Sequence, residues 1–269
     1  MLRSIPWVLT AVLYSPILFQ LYRSRWETID YTHAYFILPV SLWIVWLKRD
    51  SLKTLVKTPS GHSFSALFFF MLGVLMFIFG WRQDYLVIST FSLIPFLFGL
   101  SAYLYGKNVS KALWFPVLYL LLMVPPPLGV LDSITMPMRY GVTVAAYGFL
   151  KTLGYPILRD GLLLSVGGHE IYMGPACSGF RSLITMISLG LAYIYITKGS
   201  LKKKAVLLAS IVPLALLGNF VRVIGVCMAT YHFGDAAGEK FHDISGFVIF
   251  AILVLGLLGL ENLCEKLKW

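Results

Sequence analysis

Of the 269 residues, 58% are hydrophobic and only 13% are charged, against roughly 45–50% apolar residues in an ordinary globular chain. A soluble domain that apolar could not cover its own surface, and the apolar runs are continuous rather than alternating, which excludes a transmembrane β-barrel. The formal charge of +10 would suit nucleic acid in a soluble protein, but the Lys and Arg residues sit in short loops between apolar runs, where they orient a membrane protein.

Eight apolar runs follow one another: Ile5–Tyr22, His33–Leu47, Phe64–Gly80, Tyr85–Tyr105, Ala112–Leu131, Ser178–Ile196, Ala205–Ala229 and Ile244–Leu260. About 20 apolar residues span the hydrocarbon as a helix, so the chain reads as an all-α polytopic membrane protein with about eight transmembrane helices. The first run follows Arg3 and has no small-residue cleavage site before Arg23, so it reads as an uncleaved helix. The fifth ends in Pro125-Pro126-Pro127, which stops a helix. No internal repeat or low-complexity linker appears, and residues 1–269 read as a single domain.

An even number of crossings puts both termini on one side. With that side in the cytoplasm, thirteen Lys and Arg residues lie inside and seven outside, while Arg181 and Arg222 fall within spans. Three of the outer seven sit in one long loop, where the charge rule is weak. This predicts both termini in the cytoplasm and places the chain in a cytoplasmic membrane. The absence of strong acidity argues against a halophilic archaeon and for a bacterial membrane.

The outer segment Asp132–Ala176 carries structure of its own. Ile134–Leu153 mixes apolar residues with Arg139, Tyr140 and Lys151, and predicts a helix lying at, or dipping into, the outer interface. Gly161–Val166 and His169–Met173 read as two strands joined by a Gly167-Gly168 hairpin turn. The hairpin delivers the chain to Pro175 and Cys177.

Cys177 stands at the first turn of the sixth run, where a helix N-terminus favours a thiolate. Ser178 and Gly179 offer a small, backbone-accessible surface beside it, and Arg181 follows at i+4 on the same face. Cys177 reads equally as a small buried apolar residue. Cys227 reads as packing and Cys264 as inert; three cysteines are too few for a disulfide framework, although a Cys177–Cys227 bridge fits an oxidising face. Arg222 lies about 25 Å along the seventh span, with Asn219 at i−3 placed to orient its guanidinium. A charge inside a span marks a functional site by default; the alternatives are snorkelling to the interface or pairing with Asp235 or Asp243. His242, beside Asp243 at the start of the eighth run, falls on the same membrane face and suits a general acid or base. His232, His169 and His62 read as structural.

Ala176-Cys-Ser-Gly-Phe-Arg181, Asn219-Phe-Val-Arg222 and His242-Asp-Ile-Ser-Gly246 together resemble the signature of the exosortase/archaeosortase family. Tyr31-Thr-His33 resembles its aromatic-Ser-His-Gly element, with Ala34 in place of the glycine; Met123-Val-Pro-Pro-Pro127 and Gly161 also fit. The chain ends at Trp269 without the soluble domain that some bacterial members add, which leaves open whether a separate partner supplies one. The resemblance implies a membrane cysteine protease or transpeptidase. Its partners would be exported proteins bearing a C-terminal sorting signal: a short motif, often Pro-Glu-Pro in the bacterial branch, then a transmembrane helix and a basic tail. It implies Cys177 as nucleophile, Arg222 as transition-state stabiliser and His242 in the third catalytic position. Beside it, the placement of Ser178, Gly179, Arg181, Asn219 and Asp243 makes them candidate supporting or substrate-binding residues, Arg181 for an acidic residue of the motif. The logic is similar to the Cys-His-Arg site of soluble sortases on an unrelated fold. No cofactor is implied, and oligomeric state is not legible.

Two rivals remain. A transporter or scaffold for surface polymers would make Arg222 line a path and Cys177 incidental, but no paired Gly-interrupted half-helices support it. A metalloprotease using His232, Asp235, His242 and Asp243 matches no zinc signature.

Overall fold

The computed structural model describes residues 5–26, 33–57, 64–124, 130–174 and 180–267, and the chain forms two compact units, Met1–Pro127 and Leu128–Trp269.

The first unit is helical: α1 (Ile5–Leu21), α2 (Ala34–Leu47), α3 (Arg49–Lys57), α4 (Phe64–Arg82), α5 (Leu86–Phe91), α6 (Leu93–Tyr105), α7 (Lys107–Ala112) and α8 (Trp114–Tyr119), the last continued by a 3₁₀ turn to Met123. Without a hydrophobic drive between helices in lipid, close packing needs small residues at the contact. Gly73 of α4 supplies one, since a Cβ there would lie 2.5 Å from the Phe96 nitrogen of α6. Tyr14 of α1 completes this packing: its hydroxyl lies 2.9 Å from Ser92 Oγ, and its ring meets Phe77 and Phe96 edge-on. His33 is buried, with Nε2 3.3 Å from the Leu122 carbonyl. Tyr31, Thr32 and Pro125–Pro127 of the expected motifs lie outside the described residues.

In the second unit α9 (Val130–Thr152) leads into strands β1 (Ile157–Asp160), β2 (Leu163–Val166) and β3 (His169–Tyr172), followed by α10 (Phe180–Ile196), α11 (Leu201–Phe233) and α12 (Asp235–Lys266). The expected two-stranded hairpin is a three-stranded antiparallel meander, ordered β1-β2-β3. Asp160 pairs with Leu163, so Gly161-Leu162 is a two-residue turn rather than the start of a strand. Gly161 takes φ +56, as the first central residue of a primed turn requires. Val166 pairs with His169 around Gly167-Gly168, both with positive φ, as the Gly-Gly signal predicts.

α9 begins earlier than expected, at Val130 rather than Ile134, and packs one face into the unit. Val142, Ala146 and Leu150 of one face pack with Ile157, Leu164 and Val166 of the sheet and with Val223 and Cys227 of α11. Nearer its start, Met138 packs against a second cluster, built by Met186 and Ile194 of α10, Leu207, Ile211 and Ala215 of α11, and Ile249, Leu253 and Leu257 of α12. The unit thus has a hairpin-end core and a core toward the α10–α11 loop.

Among the described residues five helices are long and apolar enough to cross a membrane: Ile5–Ser24, Phe64–Arg82, Leu86–Tyr105, Leu201–Phe233 and Asp235–Lys266. Ala34–Leu47, Trp114–Met123 and Ile184–Ile196 are apolar but shorter. The mostly helical membrane architecture therefore holds, and among the described residues five helices reach full spanning length.

The Lys-rich run before α11 is not wholly a solvated loop. Ser200 caps the helix by accepting from the Lys203 N–H, and the Lys203 side chain turns inward, 2% exposed. Its ammonium lies 2.8 Å from Glu261 and 2.9 Å from Glu265 of α12, while the Tyr193 hydroxyl donates to Glu261. Each partner offsets the desolvation of the other, which is the condition for tolerating buried charge.

Candidate active site

The site residues ride on an antiparallel pair. α11 and α12 are joined by the single residue Gly234, at φ +83, a backbone geometry that favours glycine. The two helices then stay close because α11 carries small residues where α12 is bulky. A Cβ at Gly218 would come 2.9 Å from Ile249 Cγ2, and one at Gly225 would run into the Phe241 ring. These positions flank Arg222 by about one turn on either side.

Across that seam Arg222 meets His242: the guanidinium Nη2 donates to imidazole Nε2. Arginine has no acceptor, so Nε2 must be the unprotonated nitrogen and the ring proton sits on Nδ1. Arg222 is 9% exposed. His242 lies inside α12, two turns past its start, rather than before the helix as the sequence suggests. Ser245, 1% exposed, donates to the His242 carbonyl at 2.5 Å and fixes the local turn. The Asp243 carboxylate stands 3.7 Å from His242 Nδ1 on a side chain 79% exposed, too far for a hydrogen bond.

Asn219 does not act as expected. It is buried, but neither its Nδ2 nor its Oδ1 has a hydrogen-bond partner among the described residues, so it does not hold Arg222 in place. Each such orphan costs about 1–3 kcal/mol. Asn219 and Arg222 interrupt an apolar ridge: Leu207, Ile211 and Ala215 precede them in one core, and Val223 and Cys227 follow in the other. α9 repeats the pattern, with Arg139 and Thr143 buried between Met138 and Ala146. α12 does so too, with His242 and Ser245 ahead of Ile249. On α9 and α11, polar residues thus lie between the positions that enter the two apolar cores, and on α12 they precede those that enter one of them. In the sequence Arg139 stands out only as a polar residue of an interfacial helix and Ser245 only within a motif, and Thr143 not at all. The available signal was their helical spacing to buried apolar residues, Arg139 lying at i−3 from Val142 and i−7 from Ala146.

The hairpin is tied to the α11–α12 turn. His169 Nδ1 lies 2.8 Å from Asp235, the Tyr155 hydroxyl lies 3.2 Å from His232 Nε2, and Gly167 packs on the Tyr231 ring. Of the residues of the metalloprotease alternative, His232 meets Tyr155 and Asp235 meets His169, while His242 and Asp243 stand near each other. Among the described residues no three His, Cys, Asp or Glu side chains converge to hold a metal ion. Cys177, Ser178 and Gly179 lie outside the described residues, and Arg181 is described only as part of the α10 backbone. Cys227 is buried in the hairpin-end core, as packing requires.

A family model for transmembrane exosortases matches residues 26–259. The chain belongs to the transmembrane exosortase family. No curated protein and no solved structure matches it. The exosortase match runs through both units and takes in Cys177, Arg222 and His242. Membership and the apolar helices together make this a membrane protein.

Proposed function

We propose that this exosortase is a membrane-embedded cysteine protease/transpeptidase that processes exported proteins at a C-terminal sorting signal, with Cys177, Arg222 and His242 as its catalytic groups. The observation that carries the reading is the Arg222–His242 contact, which joins two sequence candidates from different helices.

The Cys177 thiolate attacks the scissile carbonyl carbon, and the carbonyl oxygen becomes an oxyanion. Arg222, permanently charged and rich in donors, stabilises that oxyanion in a low-dielectric setting. To do so its Nη2 leaves His242 Nε2, which frees that lone pair to take the thiol proton. The imidazolium then gives the proton to the departing amine as the C–N bond breaks, leaving a Cys177 thioester. An amine acceptor or water then attacks the thioester, His242 accepts the attacking group's proton, and the thiolate departs. Arg222 and His242 are thus partners at rest and separate during turnover.

The substrate class is a short motif of Pro-Glu-Pro type, a transmembrane helix and a basic tail, with the helix lying against the enzyme in the bilayer. Eight crossings, both termini in the cytoplasm and an extracytoplasmic site in a bacterial cytoplasmic membrane complete the reading. Lys and Arg asymmetry supports that orientation. The test is co-expression with a membrane protein carrying such a signal, following its size by immunoblot with wild type, Cys177→Ala, Arg222→Ala and His242→Ala at matched expression. Processing should vanish with Cys177→Ala and fall sharply with the other two; full processing by the cysteine variant would rule the reading out.

A further inference from the structure

We infer that Asn219 is a docking point for the backbone of the substrate, its carboxamide taking the N–H and C=O of one extended residue beside the scissile bond. The inference rests on the peptide-processing reading above. The observation behind it is the double orphan: a carboxamide 2% exposed, with donor and acceptor both unpartnered among the described residues.

An amide is a poor filler for this position. Asn219 continues the i+4 ridge Leu207, Ile211 and Ala215, where leucine would bury the same face without desolvating two polar atoms. The carboxamide presents one donor and one acceptor side by side. In an extended chain the N–H and C=O of a single residue project to the same side and are exchanged together with a partner strand. A carboxamide is complementary to that pair, and it reads no side chain, so it suits a substrate recognised through its backbone. Placement sets which residue is held. Asn219 and Arg222 share the buried face of α11, about 4.5 Å apart along the axis, and one extended residue spans about 3.3 Å. With Arg222 on the reacting carbonyl, Asn219 reaches the residue next to it or the one beyond. Because the amide is enclosed, the peptide replaces contacts inside the unit rather than surface water.

The experiment uses the full chain in detergent and Asn219→Leu, which removes both polar atoms but keeps the bulk. The probe is a synthetic peptide with a Pro-Glu-Pro motif, an apolar helix and a basic tail. Its Kd is measured on Cys177→Ala and on Cys177→Ala/Asn219→Leu, alongside the thermal midpoint of each. The expected result is an unchanged or raised midpoint together with binding weakened at least about tenfold, about 1.4 kcal/mol. A smaller loss of binding overturns the inference, since the amide would then house only water. A lowered midpoint also overturns it, because the amide would then serve a partner inside the fold. Binding needs no turnover, so the two readings fail separately. If wild type leaves the probe uncut while binding still depends on Asn219, the peptidase reading falls and the docking point stands. No binding to either protein overturns the docking point.

Discussion

α11 carries two buried cations, and they live differently. Lys203, in the first turn, is met by two carboxylates and a carbonyl. Arg222, nineteen residues on and about 28 Å along the axis, meets an imidazole that must be unprotonated at the contact. The first cation is matched in charge within the fold, so the pair can serve only to hold α12 against the α10–α11 loop. The contact at Arg222 is with a ring nitrogen acceptor and not with a carboxylate. Both cations are buried on one helix, and what differs is the kind of group each contact sets against them.

The strongest way to break that contrast is Lys203→Ala. Glu261 and Glu265 would lose their shared ammonium, and unfolding in detergent should show a loss of about 3 kcal/mol, the lower end for a broken buried pair because Glu265 is largely exposed. Processing per folded molecule should stay near wild type. Arg222→Lys keeps the charge but loses the fork that reaches both imidazole and oxyanion. Processing should fall about 100-fold, about 2.7 kcal/mol in the barrier, with the thermal midpoint little changed. If Arg222→Lys unfolded the protein and Lys203→Ala silenced it, the two cations would have exchanged roles. The mildest test is His169→Ala, which removes an exposed ion pair to Asp235. Its cost should be under about 1 kcal/mol in urea unfolding, with processing intact.

The sequence showed what periodicity and turn chemistry encode. Gly167-Gly168 announced its turn, and the apolar runs announced their helices. The four-residue strand Ile157–Asp160 was too short to show alternation, and Asp160-Gly161, itself a turn signal, was absorbed into the strand that follows. Long-range pairing was the least visible. Lys203 is the middle of three lysines that look alike in sequence; only Glu261 and Glu265, spaced i, i+4 on a distant helix, distinguish it. Arg222 was legible as a candidate because a charge within an apolar run is costly, and His242 because an imidazole at the mouth of the next run falls on the same membrane face. Their direct contact was not, since it depends on how closely Gly218 and Gly225 let two helices approach. Asn219 was read as a support for Arg222 from spacing alone, and spacing gives proximity without giving a bond.

The one-residue link at Gly234 bears on how the protein is made. With Phe233 ending one long apolar helix and Asp235 starting the next, no length of chain exists for either to be threaded across the bilayer and wait for the other. If both cross the bilayer, they enter it together as a hairpin. A lone arginine costs about 2.5–3.5 kcal/mol at the centre of an inserting helix; here it arrives beside its imidazole. The Arg222–His242 contact therefore also eases insertion of the helix pair that carries it.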